Sequence, residues 1–259
     1  MIQNRVTMCQ EIVKVQGEAI KRAEDELLLE HALSLEYGGE KIPFFCTELL
    51  LRELAVGYVF SAFGRNLGKE RYLLESVVPG HTELRFLGEG ALEAPFGRAQ
   101  DFTVGAEWIL KAMESFSKRS ELFLRTGNVH SAAFLPRKQK GRGQEFQYAL
   151  YAEDIGRHNA LDKLIGLALV QDIDLSDGVV LLSGRAPSDM VKKLMSARVK
   201  MAVSVSAPTY DSVRLAQAAG ITLIGFARGS RMNIYSNAYR VTGKEREVFH
   251  ADEKRDFFK

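Results

Sequence analysis

The chain reads as an α/β protein, with a sheet containing parallel strands in its C-terminal half and a smaller α+β region ahead of it. Three observations predict this. From residue 132 onward, short apolar runs alternate with helical patterns, the order that builds a partly parallel sheet. In the N-terminal third, Leu27, Leu29, Leu33 and Leu35 alternate with polar residues, the period of a half-buried strand. Gly38-Gly39 and Pro79-Gly80 then punctuate strand-like runs as tight turns.

Composition narrows the class. A chain of 259 residues at about 150 residues per domain makes one or two domains. With 46% hydrophobic and 26% charged residues, it excludes a disordered tail, a collagen-like rod and a disulfide-dense mini-domain. The net charge of +2 supplies no bulk attraction to nucleic acid or anionic membrane, and neither is expected as a partner. Met1–Thr7 lacks the apolar run of a secretory signal. The longest apolar stretches, Leu164–Val170 and Val179–Leu182, fall far short of the ~20 residues of a membrane span. The expectation is a cytoplasmic protein with reduced thiols. Its two cysteines, Cys9 and Cys46, form no CxxC pair and build no cysteine-rich zinc site.

The elements follow in order. Leu27–Glu36 is a strand with His31 on its leucine face, Gly38-Gly39 turns the chain, and Lys41–Phe45 returns. Thr47 caps a helix over Glu48–Phe63, stopped by Gly64. Tyr72–Val78 and Glu83–Leu87 are strands joined through Pro79-Gly80. The glycine-bearing stretch Leu87–Thr103 is a linker. Gly105–Lys118 is an amphipathic helix carrying Trp108, Ala112 and Phe116 at i, i+4, i+8. Ala132–Leu135 and Phe146–Tyr151 are strands flanking the basic loop Arg137–Gln144. Then come helix Asn159–Val170, strand Val179–Leu182, helix Ser188–Arg198, strand Ala202–Val205, helix Thr209–Ala219 and strand Ile221–Phe226. Met232–Tyr235 adds one strand more, and the charged segment Thr242–Lys259 is expected to fray.

In an open α/β sheet, ligands bind beyond the carboxyl ends of strands, and four segments there carry unusual residues. Ser183-Gly184-Arg185 leads through Ala186-Pro187 to Ser188. Glycine permits close backbone approach, Ser188 caps a helix whose start favours anions, and Arg185 suits phosphate. Ser204 to Thr209, with Ser206, repeats that logic. Gly225-Phe226-Ala227-Arg228-Gly229-Ser230-Arg231 puts two arginines around a turn after a strand, where Phe226 can stack on a base. Glu153 to Lys163 is densest in polar groups: Asp154 can pair with Arg157, and His158 shares a helix face with Asp162. Each segment has a plain structural reading as well: a cap, a solvated turn or a buried polar network. Thr126-Gly127 followed by His130 is a glycine turn beside a histidine.

Together the residues become specific. Thr126-Gly127 with His130, Glu153-Asp154-Ile155-Gly156-Arg157-His158-Asn159-Ala160 with Asp162-Lys163, Ser183-Gly184-Arg185, Ser206-Ala207-Pro208-Thr209 and Gly225-Phe226 with Arg228 occur in that order, ahead of Asn233 and Tyr235. Upstream stands Glu53-Leu54-Ala55-Val56-Gly57-Tyr58. This pattern resembles the FdhD-type sulfur carriers, the formate dehydrogenase accessory proteins, over roughly residues 43–240.

The resemblance implies a cytidine-deaminase-like α/β domain at 106–259 behind a smaller α+β domain with the interdomain loop at 1–105, in a homodimer. It implies a factor required for formate dehydrogenase activity. Such a factor takes sulfur from a cysteine desulfurase as a persulfide and delivers it to the molybdenum bis-guanine-dinucleotide cofactor, bound as cargo, with no tightly bound structural metal. The segments above, with His130, Asp154, Arg157 and His158, would hold that cargo. One departure stands out. The family's sulfur-carrying CxxC lies between the domains, and Gly97–Gly105 contains no cysteine. Persulfide chemistry needs a thiolate, so the alternative is a cofactor-binding chaperone without sulfur transfer. Zinc-dependent deamination is set aside, because His130 is followed by Ser131-Ala132 rather than an H-x-E, and no PCxxC follows.

Overall fold

A computed structural model describes residues 6–92, 96–97, 101–137 and 146–243. Most of the basic loop Arg137–Gln144, part of the Leu87–Thr103 linker and most of Thr242–Lys259 lie outside the described residues.

The chain opens on an antiparallel hairpin, β1 (Thr7–Gln16) and β2 (Ala19–Leu28), a two-stranded sheet of its own. Sequence patterning misses it, because its outward positions mix charged and apolar residues on both faces. The expected strand Leu27–Glu36 is thus two: Leu27 and Leu28 end β2, and β3 (His31–Tyr37) begins after Leu29-Glu30. Gly38 and Gly39, at φ 61° and 82°, supply the positive angles of a tight hairpin turn into β4 (Glu40–Cys46). After α1 (Leu51–Phe63) come β5 (Tyr72–Val78) and β6 (His81–Phe86). The sheet order is β4-β3-β6-β5, with β3 and β6 parallel. Leu33 and Leu35 are buried as the period of two requires, and His31 on the same face meets Thr82 Oγ1 at 3.0 Å.

The second half holds β7 (Val104–Gly105), α2 (Ala106–Arg119), α3 (Glu121–Thr126), β8 (His130–Pro136), β9 (Leu150–Asp154), α4 (Arg157–Gln171), β10 (Gly178–Leu182), α5 (Ser188–Ser196), β11 (Met201–Ser204), α6 (Tyr210–Ala218), β12 (Thr222–Arg228), β13 (Arg231–Ile234) and β14 (Val241–Thr242). Six strands pair in the order β13-β12-β11-β10-β8-β9. The expected strand Phe146–Tyr151 is shifted toward the C-terminus, since β9 pairs with β8 over 150–154.

Alternation along the central strands splits the core into two layers. Ala133, Leu135, Val179, Leu181, Met201 and Val203 face Ile109, Met113 and Phe116 of α2. Ala132, Phe134, Val180, Leu182 and Ala202 face the other way, into a layer with α4 and α5. That second layer runs on through α1 to Leu33, Leu35 and Leu84 of the four-stranded sheet. The contact between α1 and α4 rests on two glycines: a Cβ at Gly57 would fall on the Asp162 carbonyl, and one at Gly166 on the Glu53 carbonyl. Backbone therefore packs on backbone where the two halves meet.

Two expected caps are displaced. Thr47 does not cap α1, whose N-cap is Leu50 at φ 56° with no side-chain bond. Ser188 lies inside α5, and Pro187 is the N-cap. Thr209 does cap α6, in a reciprocal box with Ser212. Among the described residues, no helix is long and apolar enough to cross a membrane.

Candidate functional site

β9 is antiparallel to β8, and β8 is antiparallel to β10. Two reversals make β9 parallel to β10, β11 and β12, so the carboxyl ends of all four strands share one edge with the start of β8. That edge gathers His130, the Asp154–His158 segment, Ser183–Arg185, Ser206–Thr209 and Phe226. Sheet topology, which the sequence does not display, collects segments spread over a hundred residues.

The loops are bound to one another. Ser183 Oγ accepts from Ser131 N at 2.8 Å and lies 3.2 Å from His130 Nδ1. Buried Ser204 donates from Oγ to the Gly184 carbonyl at 2.6 Å and accepts from Ser206 N at 3.0 Å. Ala186 N donates to Ala207 O, and Phe226 N to Ser206 O. A Cβ at Gly184 would press on Arg157 Cβ at 3.1 Å and His130 Nδ1 at 3.2 Å, so glycine is what lets these side chains close over the loop.

Phe226, Ala227 and Arg228 form the end of β12 rather than a loop, and Gly229-Ser230 is the turn into β13. Register slips between Gly225 and Arg228, and Phe226 sits at φ 52°, a left-handed angle that a bulky residue rarely takes. The bulge leaves Phe226 half-buried, with Arg228 and Arg231 exposed and opposite each other across the turn. Among the described residues, the guanidinium groups of Arg157, Arg185, Arg228 and Arg231 meet no acceptor, and Arg157 Nε is buried without one.

Asp154 is placed differently. Its side chain and that of Lys163 are both fully buried, with Nζ 2.5 Å from Oδ2. Thr47 N donates to Oδ2 at 3.1 Å, and Gly156 N and Asn159 Nδ2 donate to Oδ1 at 3.0 and 2.9 Å. Lys163 also donates to Thr47 Oγ1 at 2.7 Å. The expected Asp154–Arg157 pair therefore gives way to an interior junction in which α4 and β9 hold the chain at Thr47. His158 and Asp162 do share a face of α4, but each pairs with α5. His158 Nε2 is 2.6 Å from Asp189 Oδ2, and Lys193 Nζ is 2.8 and 2.9 Å from the Asp162 oxygens. Burial pushes the Asp162 carboxyl up to about 6, against the pull of Lys193. Burial likewise lowers the pKa of His158, opposed by Asp189. His130 is lowered by burial and by the charges of Arg157 and Arg185, so it is neutral at pH 7.

Sequence reasoning misses a cluster on β8 and β9. Tyr151 OH donates to Glu153 Oε1 at 2.7 Å and lies 3.2 Å from Ser131 Oγ, and the Arg119 guanidinium lies 4.9 Å from the Tyr151 ring centre. It also misses α3, although Ser120 ahead of Glu121 is a capping signal, and Ser120 Oγ accepts from Phe123 N. Among the described residues, no three His, Cys, Asp or Glu side chains converge to hold a metal ion.

The two thiols stand in different settings. Cys46 is buried in β4, 3.5 Å from the His31 carbonyl, and burial pushes its pKa up to about 12. Cys9 is exposed on β1 opposite Glu26.

Comparison with known proteins places this architecture. The profile of the FdhD/NarQ family matches residues 65–242. The sulfur carrier protein FdhD of Wolinella succinogenes is 39% identical over 179 residues, covering 68% of this chain and 57% of that protein. The chain thus spans little more than half the length of that relative. The FdhD of Geobacillus kaustophilus is 29% identical over 258 residues, covering 89% of this chain and 95% of that one. Among solved structures, a candidate formate dehydrogenase accessory protein from Desulfotalea psychrophila superposes with a TM-score of 0.73 at 22% identity, covering 92% of this chain and all of that one. That likeness carries the mixed α/β fold.

Proposed function

The chain belongs to the FdhD/NarQ family, and on that premise we propose that it is an accessory factor for formate dehydrogenase that holds the guanine-dinucleotide arms of the molybdenum cofactor as cargo. The observation that carries this reading is the gathering of unpaired guanidinium groups at one sheet edge. Arg157 and Arg185 stand beside His130, while Arg228 and Arg231 stand on the β12–β13 turn. Arginine forks suit diphosphate oxygens, and the backbone amides at the start of α6 add a donor surface favourable to anions. Phe226, held half-exposed by its bulge, offers a ring face for a base. The partners on this reading are formate dehydrogenase, a cysteine desulfurase and a second copy of the chain, all in the cytoplasm. The six-stranded sheet with its helices serves as the cytidine-deaminase-like domain.

GDP should raise the midpoint of thermal unfolding, and Arg228→Ala with Arg231→Ala should abolish the rise. No rise at millimolar GDP in the unaltered protein would sink the reading.

The thiol positions favour a second reading, a cofactor holder without sulfur transfer. A thiol at pKa about 12 is almost wholly protonated at pH 7, so Cys46 is a poor persulfide carrier. A relay would then fall to Cys9. Incubation with a desulfurase and cysteine, followed by mass spectrometry, separates the two: a persulfide on Cys9 restores transfer, and unmodified thiols leave the holder.

A further inference from the structure

The two edges of the four-stranded sheet are built in opposite ways. At one, β4 carries Lys41 and Pro43, a charge and a missing amide that discourage another strand from pairing. At the other, β5 reads Tyr72-Leu73-Leu74-Glu75-Ser76-Val77-Val78, with no lysine, arginine or proline and with every residue exposed. Its tyrosine, leucines and valines stay between 39% and 54% exposed. Among the described residues, the other free edges are shorter or guarded. β9 and β13 have five and four residues, β7 and β14 have two each, and the β1–β2 hairpin sets Lys14 opposite Lys21. A long, apolar, unguarded edge is a template for another strand.

The strand is ordered for that use. Tyr72 to Ser76 pair with β6 in unbroken register, and the slip comes only between Ser76 and Val78. Tyr72 and Leu74 stand opposite buried Phe86 and Leu84 on the core side, and Leu73 and Glu75 stand opposite Arg85 and Glu83 on the outer side. The Tyr72 ring is held in place, with the Arg52 guanidinium 5.0 Å from its centre and the Phe86 ring at 6.2 Å. A fixed, half-open tyrosine is the kind of side chain that anchors a partner.

The outer side sets the charge of the missing neighbour. Lys41 Nζ lies 2.8 Å from Glu83 Oε1, and Arg85 Nη1 lies 4.0 Å from Glu36, so both cations there have acids of their own, and among the described residues Glu75 has none opposite it. A depression of about 170 Å³ over β6 joins Leu73 and Glu75 to Ser34, Glu83 and Arg85. That is below the about 300 Å³ of a small-molecule pocket, so a single side chain is the occupant that fits. Beside Glu75 and Glu83 it is a basic one. A second β5 has no cation to give, and full antiparallel alignment of two copies would set Glu75 against Glu75, which is unfavourable.

We infer that β5 is a docking edge for an extended segment of a different protein, which adds a fifth strand to the sheet with apolar residues facing Tyr72 and Leu74 and a lysine or arginine opposite Glu75. Main-chain hydrogen bonds supply the affinity, and the alternate side chains and the ion pair set the register.

The probe is a capped peptide, Val-Thr-Val-Lys-Val-Thr-Val with a soluble glycine–serine tail, whose core reads the same in either strand direction. It is titrated into the full chain by NMR, beside the same peptide with glutamate at its centre. The lysine peptide is expected to bind and to slow amide exchange in β5 while β4 is unaffected. The glutamate peptide should bind about tenfold more weakly, the size of a cross-strand attraction turned into a repulsion. Glu75→Lys should reverse that preference, and Leu74→Lys, a guard like the one on β4, should weaken both peptides. Both variants change exposed side chains, which leaves the fold intact. No binding of the lysine peptide at millimolar concentration, binding blind to the charge at Glu75, or protection confined to other strands overturns the docking edge. So does a dimer of the unaltered chain that Leu74→Lys dissociates, because β5 would then belong to a second copy.

Discussion

Two polar clusters lie at the same end of the six-stranded sheet, and they behave as opposites. Around Asp154, the carboxylate oxygens and the Lys163 ammonium are spent on each other, on Thr47, on Gly156 and on Asn159, all inside the protein. Around the β12–β13 turn, Arg228 and Arg231 are exposed and unpaired among the described residues, and Arg185 shares that condition on the neighbouring loop. Both clusters gather ionisable residues around glycine-bearing strand ends. Partner saturation separates them: the first joins the two sheets, and the second is open to solvent.

The contrast can be broken most forcefully at the closed cluster. Asp154→Ala strands a buried ammonium and should cost about 3–5 kcal/mol of unfolding free energy, read by urea denaturation. The double variant Asp154→Leu, Lys163→Met should lose much less, because it leaves no unpaired charge. Equal losses would show that the junction matters for shape rather than charge. The nearby helix contact comes next. Gly166→Ala drives a methyl onto the Glu53 carbonyl and should cost about 3 kcal/mol through separation of α1 and α4. An unchanged midpoint would mean that the helices slide apart freely.

The open cluster should respond in the reverse way. Arg228→Ala with Arg231→Ala should change stability by less than about 0.5 kcal/mol while removing the thermal response to GDP. A large loss of stability there would erase the distinction between the clusters.

Asp162 lies between the two extremes, and pH sharpens its place. Its carboxyl is raised to about 6 in the folded chain, against about 4 when unfolded. The folded state therefore binds more protons between these values, and stability falls as pH rises from about 4 to about 6, then levels. Asp162→Asn should flatten that part of the pH profile, and parallel slopes in the two proteins would assign the proton elsewhere.

The smallest effect is expected at the N-terminal hairpin. Arg125 of α3 binds Glu26 and Thr7 on the surface. Arg125→Ala should speed amide exchange in β1 and β2 without moving the global midpoint.

Much of this was legible in the residues. Period-two leucines give β3, which has one face to bury, Gly38-Gly39 gives the hairpin, and the apolar runs at 179–182 and 202–205 give β10 and β11, which bury both faces; each of these signals is local. The hairpin β1–β2 was not legible. With charged residues on both faces, it has no period to read. The caps misjudged at Thr47 and Ser188 fail for a different reason. A threonine or serine near a helix start signals a local bond, yet Thr47 Oγ1 is claimed by Lys163, more than a hundred residues away.

The sequence by itself determined most of the elements and the family to which their motifs point. Only the tertiary structure decided which ionisable groups are closed and which are open. A carboxylate's partners come from the strands and helices brought beside it, as Asp154 is met by Thr47 and Lys163. Periodicity reports which way a side chain faces, and it carries no information on what stands opposite.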